Sequence, residues 1–239
     1  EFDAVDIYYG MNKKLSIIFK LLCFTFCVAM CLVVLGGCSK TININDYMSD
    51  IRETLYAGEN DKVFVTVVSG ERENPYKYDG IKNKNVDFCI VSVFPSGAQI
   101  SDTTLEVELL VGDATHDITL EKSPYENAFM ADIGSKTLPG QTLTLKCEEI
   151  GEDVELVCES QKWEIKSSDA IRIASEELAE KIQAKVQNQT LQGECYLKII
   201  YDKSRSIKTY YWYFTLVGTD GGTSSCVIDP TTGKILAKI

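Results

Sequence analysis

"NDYMSDIRETLYAG" occupies residues 45–58, between a polar stretch and a long region of alternating hydrophobicity. Met48, Ile51 and Leu55 recur at helical spacing, Asn45 suits an N-cap, Asp46 falls in the first turn and Gly58 follows. These features predict a short helix. From Lys62 to about Ser160 the period changes to two. "KVFVTVVS" (62–69), "VDFCIVSVF" (86–94), "TTLEVELLV" (103–111), "HDITLE" (116–121), "TLTLKCEE" (142–149) and "DVELVCE" (153–159) alternate as half-buried strands do. Turn clusters such as "FPSGAQIS", "VGDAT" and "LPGQT" separate them. Short strands at this spacing predict an immunoglobulin-like β-sandwich, with the short helix, over residues 45–162.

Upstream, the chain reads as an address. The first methionine is Met11, followed by Asn12, Lys13 and Lys14, then an apolar run over 21–35. That run is shorter than the ~20 residues a membrane span needs and suits a signal-peptide core. It ends in Leu35-Gly36-Gly37-Cys38, which resembles the lipobox of bacterial lipoproteins. The resemblance implies a diacylglycerol on the Cys38 thiol and cleavage just before it. Residues 11–37 are then a signal peptide and 38–44 a tether. Residues 1–10 carry Glu1, Asp3 and Asp6, which would cancel the leader's basic start, so they read as an upstream extension of the gene call. The expected location is the extracytoplasmic face of a bacterial membrane, held by lipid.

Downstream, "SSDAIRIASEELAEKIQAKVQN" (167–188) is the clearest helix, with Ile171, Ala174, Leu178, Ile182 and Val186 on one stripe and Ser167 or Ser168 as cap. Four strand candidates follow: "CYLKIIYD" (195–202), "TYYWYFTLV" (209–217), "SSCVID" (224–229) and "KILAKI" (234–239). One helix before antiparallel strands is an α+β unit, here residues 163–239. The chain as a whole reads as mainly β with α+β. "DAIRIASEE", "WYFTLV" and "VIDPTTGKIL" resemble the PepSY family over about 169–239. That resemblance implies a helix-on-antiparallel-sheet module with an extracytoplasmic binding or regulatory role, in some proteins restraining peptidases. It implies no catalytic residue.

Charge and motif content narrow the function. The net charge of −11 disfavours nucleic acid, which needs a basic patch. No C-x-x-C occurs among the nine cysteines. A cross-strand disulfide between Cys147 and Cys158 is conceivable; the other three downstream cysteines read as small buried hydrophobes. His116, the single histidine, sits at a turn-to-strand junction and reads as exposed. We find no nucleophile motif, phosphate loop or metal signature, and expect no cofactor.

Two recognition surfaces stand out. One is the loop stretch "SGERENPYKYDG" (69–80), with Arg72, Glu73, Tyr76, Tyr78 and Asp79. The other is the sheet face turned away from the helix, with Tyr196, Tyr211, Tyr213 and Lys198. The plainer readings are an ordinary connection and a face packed on the neighbouring domain. The leading expectation is a non-catalytic binding or regulatory lipoprotein for a peptide, a peptidase or another envelope component. The alternatives are an envelope-polymer hydrolase using a carboxylate pair and a structural spacer.

Overall fold

Most of residues 45–58 lie in a strand, which corrects the helix expected there. A 3-10 turn, Ile44–Tyr47, leads into β1, Met48–Glu59. The cause of the misleading spacing is a β-bulge. The register shifts between Met48 and Asp50, so Met48 and Ile51 share a face three residues apart, as they would on a helix. The structure is a computed structural model describing residues 42–96, 100–134, 142–151, 153–201 and 209–239. The leader and Cys38 lie outside the described residues.

Seven further strands follow: β2 (Val63–Glu73), β3 (Asn85–Pro95), β4 (Thr104–Val111), β5 (Ala114–Lys122), β6 (Phe129–Asp132), β7 (Thr142–Lys146) and β8 (Val154–Cys158). Their order is β1-β2-β3-β6-β5-β4-β7-β8, and β8 returns to β1 through Tyr56↔Cys158 and Ala57↔Val157. The strands therefore close as an eight-stranded barrel, in place of the expected two-sheet sandwich. Local alternation is the same in both architectures, so only the closing strand separates them. Val65, Val67, Val91, Leu109, Leu120, Phe129, Leu145 and Leu156 fill the interior and are buried. Gly58 sits at the seam, where a Cβ would overlap the carbonyl oxygen of Glu155. Glycine there lets β1 and β8 meet.

The chain then makes a second 3-10 turn, Glu159–Lys162, and two helices, α1 (Ser167–Glu177) and α2 (Ala179–Ala184). The expected single helix breaks at Leu178, whose φ and ψ are −100° and 17°. Lys166, not a serine, holds the N-cap position. Val186 starts the short ribbon of β9 (Val186–Gln187) and β10 (Thr190–Leu191). An antiparallel meander follows: β11 (Gly193–Tyr201), β12 (Tyr210–Gly218), β13 (Thr223–Ile228) and β14 (Ile235–Lys238).

β11 joins β1 in parallel, with Met48↔Cys195 and Ile51↔Leu197, so one twelve-stranded sheet runs from barrel to meander. One edge of β1 thus serves two partners, β11 along its first half and β8 near its end. At the fork the buried N–H of Leu55 donates to Ser160 Oγ at 3.2 Å. A second core lies beneath the helices. Ala170, Ile171, Ala174, Leu178 and Ile182 pack on Leu197, Ile199, Trp212, Phe214 and Leu216, with Met48 and Leu55 of β1 among them. Trp163 meets Trp212 edge-on at 4.9 Å, and Trp212 Nε1 donates to the carbonyl of Ile165 at 2.9 Å. Residues 42–239 form one compact unit in which β1 contributes to both cores.

Candidate binding face

The two-residue period of β11 and β12 decides what the helices cover and what they leave. Lys198 lies opposite Tyr213 and Tyr196 opposite Thr215. The side away from the helices therefore carries Glu194, Tyr196, Lys198 and Ile200 with Tyr211, Tyr213 and Thr215. β1 extends this face with Asp50, which is in register with Tyr196 on one side and Arg72 on the other.

A strap of residues 74–84, connecting β2 to β3, folds back over that face. Backbone-directed bonds from buried side chains hold it. Glu73 Oε1 accepts the N–H of Lys77 at 3.0 Å, and its Oε2 accepts the N–H of Asn83 at 2.9 Å. Glu194 Oε1 accepts the N–H groups of Asp79 and Gly80 at 3.1 and 2.7 Å. The Tyr196 hydroxyl donates to the carbonyl of Lys77 at 2.7 Å, and the Tyr76 hydroxyl donates to Asp50 Oδ2 at 3.2 Å. Gly80 has φ +81°, and a Cβ on it would come within 2.7 Å of Gly218. The strap is therefore locked in place, which removes the ordering cost a mobile recognition loop meets on binding.

Locking sets the aromatic geometry. Tyr78 stacks tilted on Tyr196 at 4.8 Å, and Tyr76 meets Tyr196 edge-on at 6.2 Å. The three rings surround the ammonium of Lys198, which lies 5.7 Å from the Tyr76 and Tyr78 centroids and 5.1 Å from that of Tyr196. Each such cation–π contact contributes about 0.5–2 kcal/mol. Lys198 is half-buried, and desolvation, followed by the nearby Arg52 charge, pushes its pKa below the ordinary lysine value. Burial also raises the Asp50 carboxyl, against the lowering pull of Arg52, Lys198 and Tyr76. The hydroxyls of Tyr76 and Tyr196 are pushed up, mainly by burial, and stay protonated as donors.

The structure brings the two sequence-predicted surfaces together, with corrections. Tyr76 and Tyr78 are exposed at 42% and 52%. Arg72 lies over the rings of Tyr76 and Phe88 and pairs with Asp132. Asp79 is exposed and caps the N–H of Ile81. Tyr211 and Tyr213 are half-buried on the open part of the face, where Tyr213 donates to Ser225 Oγ at 2.9 Å. Tyr196 and Glu73 are instead fully buried, because the strap closes over them. They build the surface without presenting themselves on it. Asp50, Arg52 and Glu194 escaped sequence reasoning. The first two lay in the stretch read as a helix. Glu194 is a charged residue inside an apolar strand, a pattern that could have signalled a buried acceptor.

A second feature is an open acidic cleft of about 690 Å³ on the barrel, lined by Glu106, Glu108, Asp117, Lys146, Glu148, Glu149 and Asp153. His116 is exposed on β5, opposite Leu109 of β4. Cys147 and Cys158 are both free and buried. Compared with family models, curated proteins and solved structures, the chain matches none.

Proposed function

We propose that the protein is a non-catalytic binding or regulatory lipoprotein, lipid-anchored through Cys38 on the extracytoplasmic face of a bacterial membrane. Its working surface is the strap and the sheet face beside it. The partner is an envelope protein or peptide, with a peptidase as one candidate. The single observation that carries this reading is the joining of the tyrosine-rich strap and the tyrosine-rich sheet face into one preorganised surface. Exposed Tyr76, Tyr78, Val86 and Ile200 lie on the strap, on β3 beside it and on β11. Rigid tyrosines suit recognition because they offer large contact area with little side-chain entropy to lose. The helix laid on the antiparallel meander supports treating 169–239 as a PepSY-like module.

The test is capture from native membranes with the full-length chain. Wild-type protein is expected to recover a reproducible partner, and Tyr78→Ala to reduce that recovery by about tenfold, the scale of an interface anchor. Equal recovery by the two would overturn the assignment of the face. Mass spectrometry of the mature protein is expected to find a diacylglycerol-modified Cys38 at the N-terminus, and an unmodified thiol there would overturn the anchor.

The acidic cleft favours a second reading, hydrolysis of an envelope polymer by a carboxylate pair. Under that reading, release of soluble fragments from purified envelope would be lost in Glu108→Gln. The binding reading expects no such release from wild-type protein.

A further inference from the structure

We infer that the face takes the side-chain carboxylate of an acidic, extended segment of a protein partner, seated on the Lys198 ammonium between the rings of Tyr76 and Tyr78. This rests on the face being a binding surface and adds the chemistry of what it binds.

Lys198 Nζ has three N–H groups, and among the described residues none meets a hydrogen-bond acceptor or an ion-pair partner. The tyrosine rings stabilise its charge but leave the donors free for an oxygen. Arg52 adds a second cation close enough to lower the lysine's proton affinity. Asp50 answers both, and it already accepts Arg52 Nε at 3.4 Å and the Tyr76 hydroxyl. Glu73 and Glu194 are turned to N–H groups of the strap, so Asp50 is the carboxylate both cations share, and the free donors of Lys198 suit an incoming oxygen.

The surroundings decide which anion. Glu73 and Glu194 lie beneath the strap, and the chain as a whole carries −11. That field repels a polyanion or a dense anionic lipid surface. A carboxylate carries a single charge, and on an extended peptide its neighbours along the chain can be neutral. Tyr76, Tyr78, Val86 and Ile200 are exposed for apolar contact on either side of it.

The test uses the full chain and fluorescence anisotropy with labelled peptides amidated at the C-terminus. One peptide alternates glutamate with serine, a second has glutamine for glutamate, and a third carries phosphoserine for glutamate. A fourth copies the glutamine peptide with its C-terminus free. The glutamate peptide is expected to bind most tightly, and added salt to weaken it. Lys198→Gln is expected to cost about tenfold, Lys198→Arg to retain binding, and Lys181→Gln, at an exposed position of α2, to change nothing. Equal binding of the glutamine peptide, or no effect of Lys198→Gln, would overturn the inference. So would tighter binding of the phosphoserine or free-terminus peptide. The two readings fail separately. If Tyr78→Ala abolishes capture from membranes while Lys198→Gln does not, the face stands and the carboxylate does not.

Discussion

Asp50 is 1% exposed, and its Oδ1 has no hydrogen-bond partner among the described residues. Burial holds its pKa above the ordinary value of 3.8. The sign of the consequence follows from proton counting. As pH rises past 3.8, the unfolded chain releases this proton while the folded chain still holds it. Stability contributed by the group therefore falls between the unfolded and the folded pKa, and it does not recover above them. Asp50→Asn removes that loss and keeps an oxygen for the Tyr76 hydroxyl. Urea unfolding of the variant should show a smaller decline from acid to neutral pH than wild type. Parallel pH curves would show that Asp50 is ionised at little cost. The same scale explains the locked strap. Gly80 is the position where a side chain would collide with Gly218, so Gly80→Ala should lift the strap and weaken partner capture without unfolding the barrel.

Among the elements, β1 shapes the fold most. Its edge changes partner from β11 to β8, and the fork is bridged by the Ser160 hydroxyl on the Leu55 N–H. Ser160→Ala leaves that buried N–H unsatisfied, a loss of about 1–3 kcal/mol measurable as a lower urea midpoint. An unchanged midpoint would mean another group takes the bond. This fork also marks the limit of what the sequence discloses. Strands β2 to β5, β7, β8 and β11 to β14 were readable because their residues alternate between two environments. The stripe of Ile171, Ala174, Leu178 and Ile182 was readable for the same reason at helical period. β1 was not, because its bulge gives Met48 and Ile51 a helix-like separation. Losing β1 concealed the closure and with it Asp50 and Arg52. Short β6 gave no alternation long enough to notice. The tyrosines of the site were legible as types. Their meeting was not, since it depends on Glu73 and Glu194 reaching backbone N–H groups on the strap.

For the whole molecule, thiol chemistry offers a check on both cores. Cys89, Cys147, Cys158, Cys195 and Cys226 are all free and buried. Burial, helped at Cys147 by the Glu149 carboxylate, raises the Cys147 thiol to about 11, and burial raises the Cys226 thiol to about 11. A thiol held that high carries little thiolate at neutral pH, and the thiolate is the reactive form. Because all five are also buried away from the reagent, native protein treated with iodoacetamide should keep them unmodified, while denatured protein should react at each. A reducing agent should leave the unfolding midpoint unchanged. Rapid labelling of Cys158, which pairs with Tyr56 where β8 meets β1, would show that the barrel seam opens in the native state.

The shared edge of β1 also sets a timetable for biosynthesis. The ribosome delivers β1 first, yet the hydroxyl at its fork arrives 105 residues later and β11 later still. Hairpins such as β2–β3 and β4–β5 can zip as they emerge, whereas β1 has its second edge bare until the chain is nearly complete. Vectorial folding is thus deferred to a final ring-closing event, and until then the bare edge of β1 is open to pairing with another chain.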